Sequence, residues 1–275
     1  MRILAGVDWS DEAFAAIEQI GLLYRPDDVV LVHAVGQAAN LQGNIEFRQA
    51  VVDAVRPVVE RCRALLPAET PSIRTLCEAQ DPVSFILSSA ATVKPDLIAM
   101  GARDSSRVME FFEISVSHRV LLQATVPTLI VKGNARPVNR VLMAVEGRED
   151  AIRVQTWLML HPFKNPVTVT ILSVLPPLHN ISEELLATLK SRIEQSKRDA
   201  EQTVNDTARA LASPHIAVST DVRVGDPVTT VCEVGHSHDL IVVSTHGRTG
   251  LNRFVCGSVS DGIIHRAGCS VLVVR

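Results

Sequence analysis

Aromatic side chains are scarce: seven Phe, two Trp and one Tyr make up 4% of 275 residues. The core must therefore be built from Val, Leu, Ile and Ala. At 47% apolar and 21% charged, the chain is globular and long enough for one large or two ordinary domains. A dominant charge of one sign is also missing. The formal net charge is −3 and no block of Lys or Arg stands out, so the electrostatic footprint of a nucleic-acid binder is absent. No apolar run approaches the ~20 residues of a membrane-spanning helix. The opening Met1-Arg2-Ile3-Leu4-Ala5-Gly6-Val7-Asp8 enters a strand pattern directly, without the layout of a signal peptide. The five cysteines (Cys62, Cys77, Cys232, Cys256, Cys269) include no C-x-x-C pair and read as small buried hydrophobes in a reducing compartment. These absences predict a soluble cytoplasmic protein that engages neither nucleic acid nor membrane.

What is present is a duplication. Arg2-Ile3-Leu4-Ala5-Gly6-Val7-Asp8 matches Arg140-Val141-Leu142-Met143-Ala144-Val145-Glu146, and Asp81-Pro82-Val83 matches Asp226-Pro227-Val228. Asp96-Leu97-Ile98 matches Asp239-Leu240-Ile241, and Val126 to Lys132 matches Cys269 to Arg275. The matches keep their order at nearly constant offset, which makes residues 1–133 and 139–275 two copies of one unit. The joint, Gly133 to Asn139, is too short to hold the halves apart, so direct packing is expected.

Each copy reads as strands alternating with helices. In the first, strands are expected at Ile3–Val7, Val29–Val35, Ile73–Cys77, Leu97–Met100 and Thr128–Val131. Ser10 is placed to cap a helix through Leu22, a longer helix spans about Leu41 to Leu66 with Pro57 inside it, and Asp81 followed by Pro82 is a strong helix start. A helix over Ser115–Gln123 precedes the fifth strand. The second copy places strands at Val141–Val145, Val167–Val174, Ala217–Val222, Leu240–Val243 and Val271–Val274. Its helices begin at Ser182, Asp226 and Ser258. The pattern predicts two doubly wound, parallel five-strand α/β domains, each covered by helices on both faces. Ligands in such sheets bind at the carboxyl ends of the strands where strand order reverses. That rule directs attention to Asp8 and Glu146 after the first strands, and to the loops after the fourth.

The loop of the second copy is the richest stretch. The apolar strand ending at Val243 empties into Ser244-Thr245-His246-Gly247-Arg248-Thr249-Gly250, and a helix begins at Gly257-Ser258. Strand, glycine loop and helix N-terminus can together present backbone N–H groups and the positive end of the helix dipole to a phosphate. Arg248 and Arg253 add charge and Ser258 a hydroxyl. The spacing is neither a P-loop nor G-x-G-x-x-G, and an ordinary strand-to-helix loop carrying three glycines is the competing reading.

These residues resemble the universal stress protein family in its tandem two-domain form. The family's loop is G-x-x-G, nine residues, then G-S/T. The second copy has Ser244-Thr245-His246-Gly247, nine residues from Arg248 to Cys256, then Gly257-Ser258, so a serine replaces the first glycine only. The resemblance covers the chain twice and implies Rossmann-like domains of the adenine nucleotide alpha-hydrolase type. It also implies a nucleotide site at Glu146, Val174, Gly247, Gly257, Ser258, Val259 and Ser260. Val243, Ser244, His246, Arg248 and Gly250 complete the strand end and loop. The cofactor implied is ATP, with or without Mg²⁺. Glu146 departs from the family's aspartate, and losing one hydrogen bond to a charged group costs about 1.5–3 kcal/mol, roughly ten- to a hundred-and-fifty-fold in affinity.

The first copy departs in the opposite sense. It keeps Asp8, but its loop reads Gly101-Ala102-Arg103-Asp104, nine residues, then Ile114-Ser115. Asp104 and Ile114 replace glycines, and Glu110 and Glu113 add charge that repels a triphosphate. This copy is read as degenerate, with Asp8 a solvated carboxylate and Ala34 at the position of Val174. The resemblance further implies that the fifth strands pair within one chain as a pseudo-dimer, and that tandem chains assemble as homodimers.

Among other candidates, His236 and His238 invite a metal reading, but without a Cys or carboxylate partner they are expected to face solvent. His246 is placed equally well to donate to a phosphate or to bond backbone. Cys256 is either a thiol activated by the helix N-terminus or a packing residue. Trp9 and Trp157 are expected in the first helices of their copies, as core or interface residues. No G-x-S-x-G, H-E-x-x-H or paired Cys/His signature supplies a nucleophile and base. The sequence thus points to an ATP-binding regulatory protein of the stress response, not an enzyme. A nucleotide-free interaction protein is the alternative, and a nucleotidyl-transfer enzyme of related fold has no signature loop to support it.

Overall fold

A computed structural model of the chain describes residues 1–35, 45–102, 115–177, 183–245 and 257–275. They fall into two compact units, residues 1–137 and residues 138–275. In the first, short β-branched runs form β1 (Arg2–Gly6), β2 (Asp28–Ala34), β3 (Ser72–Glu78), β4 (Leu97–Ala102) and β5 (Thr128–Lys132). All pair parallel, β1 lying between β2 and β4, with β3 outside β2 and β5 outside β4. Strand order therefore reverses between β1 and β4, the doubly wound arrangement.

The helices begin where side-chain chemistry starts them. In α1 (Asp11–Leu23), the Ser10 hydroxyl accepts from the Ala13 amide, a cap worth about 1 kcal/mol. The helix buries Phe14, Ile17 and Ile20. Helix α2 (Ile45–Leu65) contains Pro57. In α3 (Pro82–Val93), Asp81 accepts from the Ser84 amide and Pro82 supplies the preset φ of a first helical residue. Helix α4 (Val116–Gln123) is capped by the Ser115 hydroxyl.

The second unit repeats the plan with β6 (Arg140–Ala144), β7 (Val167–Leu175), β8 (Ile216–Val224), β9 (Leu240–Ser244) and β10 (Ser270–Val274). Strand β6 lies between β7 and β9, with β8 outside β7 and β10 outside β9, again all parallel. Helices α5 (Arg148–Leu160), α6 (Glu183–Leu211), α7 (Pro227–Gly235) and α8 (Ser258–Arg266) connect them. Leu142, Ile171, Leu240, Ile241 and Val242 are fully buried, as a sheet covered on both faces requires.

Two expectations need correction. Trp9 is 60% exposed and precedes α1, because the Ser10 cap starts the helix after it; Trp157 does lie inside α5, buried. His238 is buried, not solvent-facing: its ring lies 2.9 Å from the Val234 carbonyl and 3.1 Å from the Thr170 hydroxyl, an acceptor and a hydroxyl that satisfy both nitrogens. His236 is exposed. The four described cysteines are free thiols, and burial pushes the pKa of Cys62 up to about 11. Among the described residues, no helix is long and apolar enough to cross a membrane.

Candidate functional site

The carboxyl ends of β6 and β9 lie side by side, in the register Ala144 to Val243. Of the residues singled out from sequence, Glu146 follows β6 and is exposed, Val174 is half-buried near the end of β7, and Val243 and Ser244 close β9. His246, Gly247, Arg248 and Gly250 lie outside the described residues, as do Arg253 and Cys256. The site resumes at the N-terminus of α8. Gly257 is its N-cap residue and supplies no side-chain cap. Ser258 and Val259 are exposed, while Ser260 is buried and donates its hydroxyl to the Gly257 carbonyl at 3.0 Å.

The equivalent helix of the first unit is built differently. There the N-cap is Ser115, whose hydroxyl already takes the His118 amide, one of the donors that an anion at a helix N-terminus would use. Gly257 offers no such competitor. Among the described residues an added Cβ would meet nothing closer than Ser260 Oγ at 3.6 Å, and its φ of −63° is open to any residue.

Arg153, a residue the sequence did not single out, brings charge to this strand end. From α5 its Nη1 donates to the Ser244 hydroxyl at 3.0 Å and to the Thr245 carbonyl at 3.1 Å, and lies 3.5 Å from the buried Asp150 carboxylate. Arg275 Nη1 adds a contact of 3.3 Å to the Thr245 hydroxyl. Ser244 thus replaces glycine with a hydroxyl that a guanidinium holds. The matching residue of the first unit, Gly101, shows why glycine stands there. A Cβ on it would lie 2.2 Å from the Glu12 carbonyl oxygen, because α1 rides directly on the backbone of β4. No spacing rule would have revealed Arg153. Residues 148–153 read as an ordinary charged helix face, and only the fold brings that face over β9.

Asp8 is half-exposed and its Oδ1 accepts from the Ser10 amide at 2.9 Å and from the Ser10 hydroxyl, so it holds the turn into α1. A cleft of about 640 Å³ opens in the second unit between α5 and α6, over the ends of β6 and β7. Glu146, Asp199 and Asp206 line it with one guanidinium, that of Arg148. This acidic wall disfavours phosphate in the cleft itself and leaves the N-terminus of α8 as the better anion site.

Parallel sheets that reverse order at β1/β4 and β6/β9 define two tandem Rossmann-like α/β domains, with the candidate site at the strand ends of the second. The universal stress protein family matches residues 1–132 and again 137–275, and the chain belongs to that family. A universal stress protein of Synechocystis sp. is 29% identical over 32% of the chain and 58% of its own length. One of Methanocaldococcus jannaschii is 31% identical over 30% of the chain and 49% of its own length. The chain thus spans about half the length of these curated relatives. The solved structure of a universal stress protein from Archaeoglobus fulgidus covers 100% of the chain at a TM-score of 0.65 and 18% identity, which shows the shared fold.

Proposed function

We propose that this protein is an adenine-nucleotide-binding regulator of the stress response, with domains at 1–133 and 139–275, and that the second domain binds ATP, with or without Mg²⁺. The observation that carries this reading is the N-terminus of α8. Gly257 leaves it without a side-chain cap, and Arg153 and Arg275 bring positive charge to the neighbouring end of β9. Phosphates at the amides of Ser258, Val259 and Ser260 gain from both the helix dipole and the guanidiniums. In this reading Glu146 holds the ribose, the backbone of Val174 meets the adenine, and the loop from Val243 and Ser244 through His246, Gly247, Arg248 and Gly250 completes the phosphate cradle. The protein acts by binding, in the cytoplasm. The first domain, whose helix cap is occupied by Ser115, carries no nucleotide.

The purified protein, heated and its released small molecules chromatographed, is expected to give close to one adenine nucleotide per chain. Gly257→Phe is compatible with the backbone, since φ is −63° and the new Cβ meets only Ser260 Oγ among the described residues, and its ring over the α8 amides abolishes the release. Two nucleotides per chain would refute the assignment to the second domain. None, from either the purified protein or after ATP is added back, would favour a nucleotide-free interaction protein. The acidic α5–α6 cleft is the observation on the side of that second reading.

A further inference from the structure

Backbone hydrogen bonds fix which way each residue of β8 turns its amide and carbonyl. At one end the His215 carbonyl accepts from the Val167 amide, and at the other the Gly225 amide donates to the Leu175 carbonyl, each at 3.0 Å. Both residues therefore face β7. The N–H and C=O of one residue point to the same side of a strand, and the side alternates along it. Ala217, Ser219, Asp221 and Arg223 then face β7 as well, while Ile216, Val218, Thr220, Val222 and Val224 turn their backbone outward. Ile216 is closed off, since it exchanges hydrogen bonds of 3.1 Å with Ser213 in both directions. Among the described residues nothing takes the outward amides and carbonyls of Val218, Thr220, Val222 and Val224.

An open edge of this length is a template for another strand, and folds usually blunt one with Lys, Pro or a bulge. The nine residues of β8 include neither Lys nor Pro, and they pair with β7 without a break in register. Val224 is 69% exposed at the outer end, and Thr220 is exposed as well. Asp221 and Arg223 share one face, with Arg223 Nε 2.7 Å from Asp221 Oδ2. Two copies of β8 meeting antiparallel about a two-fold axis must set outward residues opposite outward residues. Centring on Asp221 places that carboxylate against its own copy, which repels. Centring on Thr220 leaves Arg223 opposite Ala217 and sets Val224 against Ile216, whose backbone Ser213 already holds. Centring on Val222 places Arg223 opposite Asp221 on both sides of the axis and pairs exposed Thr220 with exposed Val224. Only this last register is complementary in charge.

We propose that β8 is a self-association edge: a second copy of this chain adds its own β8 antiparallel, centred on Val222, and joins the two second-unit sheets into one. The surface is separate from the fifth strands, β5 and β10, and from the strand ends of the proposed nucleotide site, so it stands or falls without that reading. Symmetric pairing consumes both β8 edges and closes at two chains. The outer strand of the first unit, β3, is shorter, and its Arg74 is already held by Asp28 on β2. A ladder of backbone bonds with exposed ion pairs makes a small interface. The dimer is therefore concentration-dependent, and salt weakens it.

The test is sedimentation equilibrium of the full-length protein over about a hundredfold range of concentration. The wild type is expected to rise from one chain to two, with hydrogen exchange in the peptide spanning β8 slowing as it does. Thr220→Pro removes an outward amide that the single chain does not use, a change an edge strand tolerates, and weakens association about tenfold. Asp221→Arg sets like charges opposite each other and weakens it about as much. Combining Asp221→Arg with Arg223→Asp restores the opposite charges and returns association to about the wild-type level. The charge variants leave the backbone unchanged, so they decide the matter even if the proline variant does not fold. The proposal is overturned if the wild type stays a single chain throughout, or if it dimerises with no slowing of exchange in β8. It is also overturned if a folded Thr220→Pro associates like the wild type, or if the charge swap does no better than Asp221→Arg alone.

Discussion

The same substitution at two glycines, one in each repeat, should have unequal consequences. At Gly101 an added Cβ would lie 2.2 Å from the Glu12 carbonyl oxygen, 2.4 Å from its carbon and 2.9 Å from the Ala13 nitrogen. Non-bonded carbon contacts relax at about 3.5–4.0 Å, so the start of α1 must retreat by about 1 Å. These are backbone atoms and cannot rotate away. The helix they belong to packs Phe14, Ile17 and Ile20 into the core, so the shift loosens its seating. Overpacking costs about 1–3 kcal/mol, and an unyielding backbone neighbour places Gly101→Ala at the upper end, about 3 kcal/mol. With an unfolding entropy of about 2.1 cal/mol/K per residue over the first 137 residues, that lowers the melting temperature of this unit by about 10 °C. At Gly257 the nearest atom to the new Cβ is Ser260 Oγ at 3.6 Å, and φ is −63°, so Gly257→Ala should stay within about 0.5 kcal/mol. Calorimetry gives the melting shifts, and hydrogen exchange on peptides from α1 and α5 assigns each loss to its unit. If Gly101→Ala shifts the melt by less than about 2 °C, or if both variants lose equally, the argument from close approach is wrong.

Arg153→Ala removes two hydrogen bonds from the end of β9 and the cation beside buried Asp150. The expected cost is about 2 kcal/mol in urea denaturation, and nucleotide release should fall as well. Arg153→Lys should recover only part of the stability, because a lysine keeps the cation beside Asp150 but its shorter stem stops short of the place Nη1 occupies against Ser244 and Thr245. Asp28 gives the pH prediction. The Arg74 guanidinium foremost, then Arg2 and Ser72, hold its pKa down at about 2, against 3.8 unperturbed. A depressed folded pKa contributes stability that is complete above pH 4 and drains away as pH falls from about 4 to about 2. Both guanidiniums are about half exposed, so screening reduces the contribution to about 1 kcal/mol. Asp28→Asn should therefore cost about that much at pH 7 and close to nothing at pH 2, read from urea midpoints at the two pH values.

The sequence made the elements legible where local chemistry settles them. Asp81-Pro82 and Asp226-Pro227 start α3 and α7, because a carboxylate that accepts an amide and a proline with preset φ need no tertiary help. Buried strands such as Leu240–Ser244 announce themselves by continuous β-branched and aliphatic residues, and their ends shift only by a residue or two. Legibility stopped where meaning depends on a distant partner. His238 looked like a turn residue because nothing nearby in sequence shows that Thr170, 68 positions away, completes its ring. Trp9 looked like core because aromatic residues usually are, while the Ser10 cap begins α1 one residue too late to bury it.

The two repeats also show why a lost glycine is an incomplete description of the change at Ser244. In the first unit glycine at this position is required by the approach of α1, whatever a ligand would need. In the second, serine is tolerated because α5 meets β9 through the Arg153 side chain rather than through its own backbone. A substitution that reads as decay of a motif thus coincides with a guanidinium delivered to the same strand end. The two readings separate in one comparison, Ser244→Gly. If the serine is decay, restoring glycine strengthens nucleotide binding. If it anchors Arg153, restoring glycine takes one partner from the guanidinium and leaves it Thr245 and Asp150, weakens binding and shrinks the further effect of Arg153→Ala. The geometry favours the second outcome, since the hydroxyl of Ser244 and the carbonyl of Thr245 are held by one and the same nitrogen.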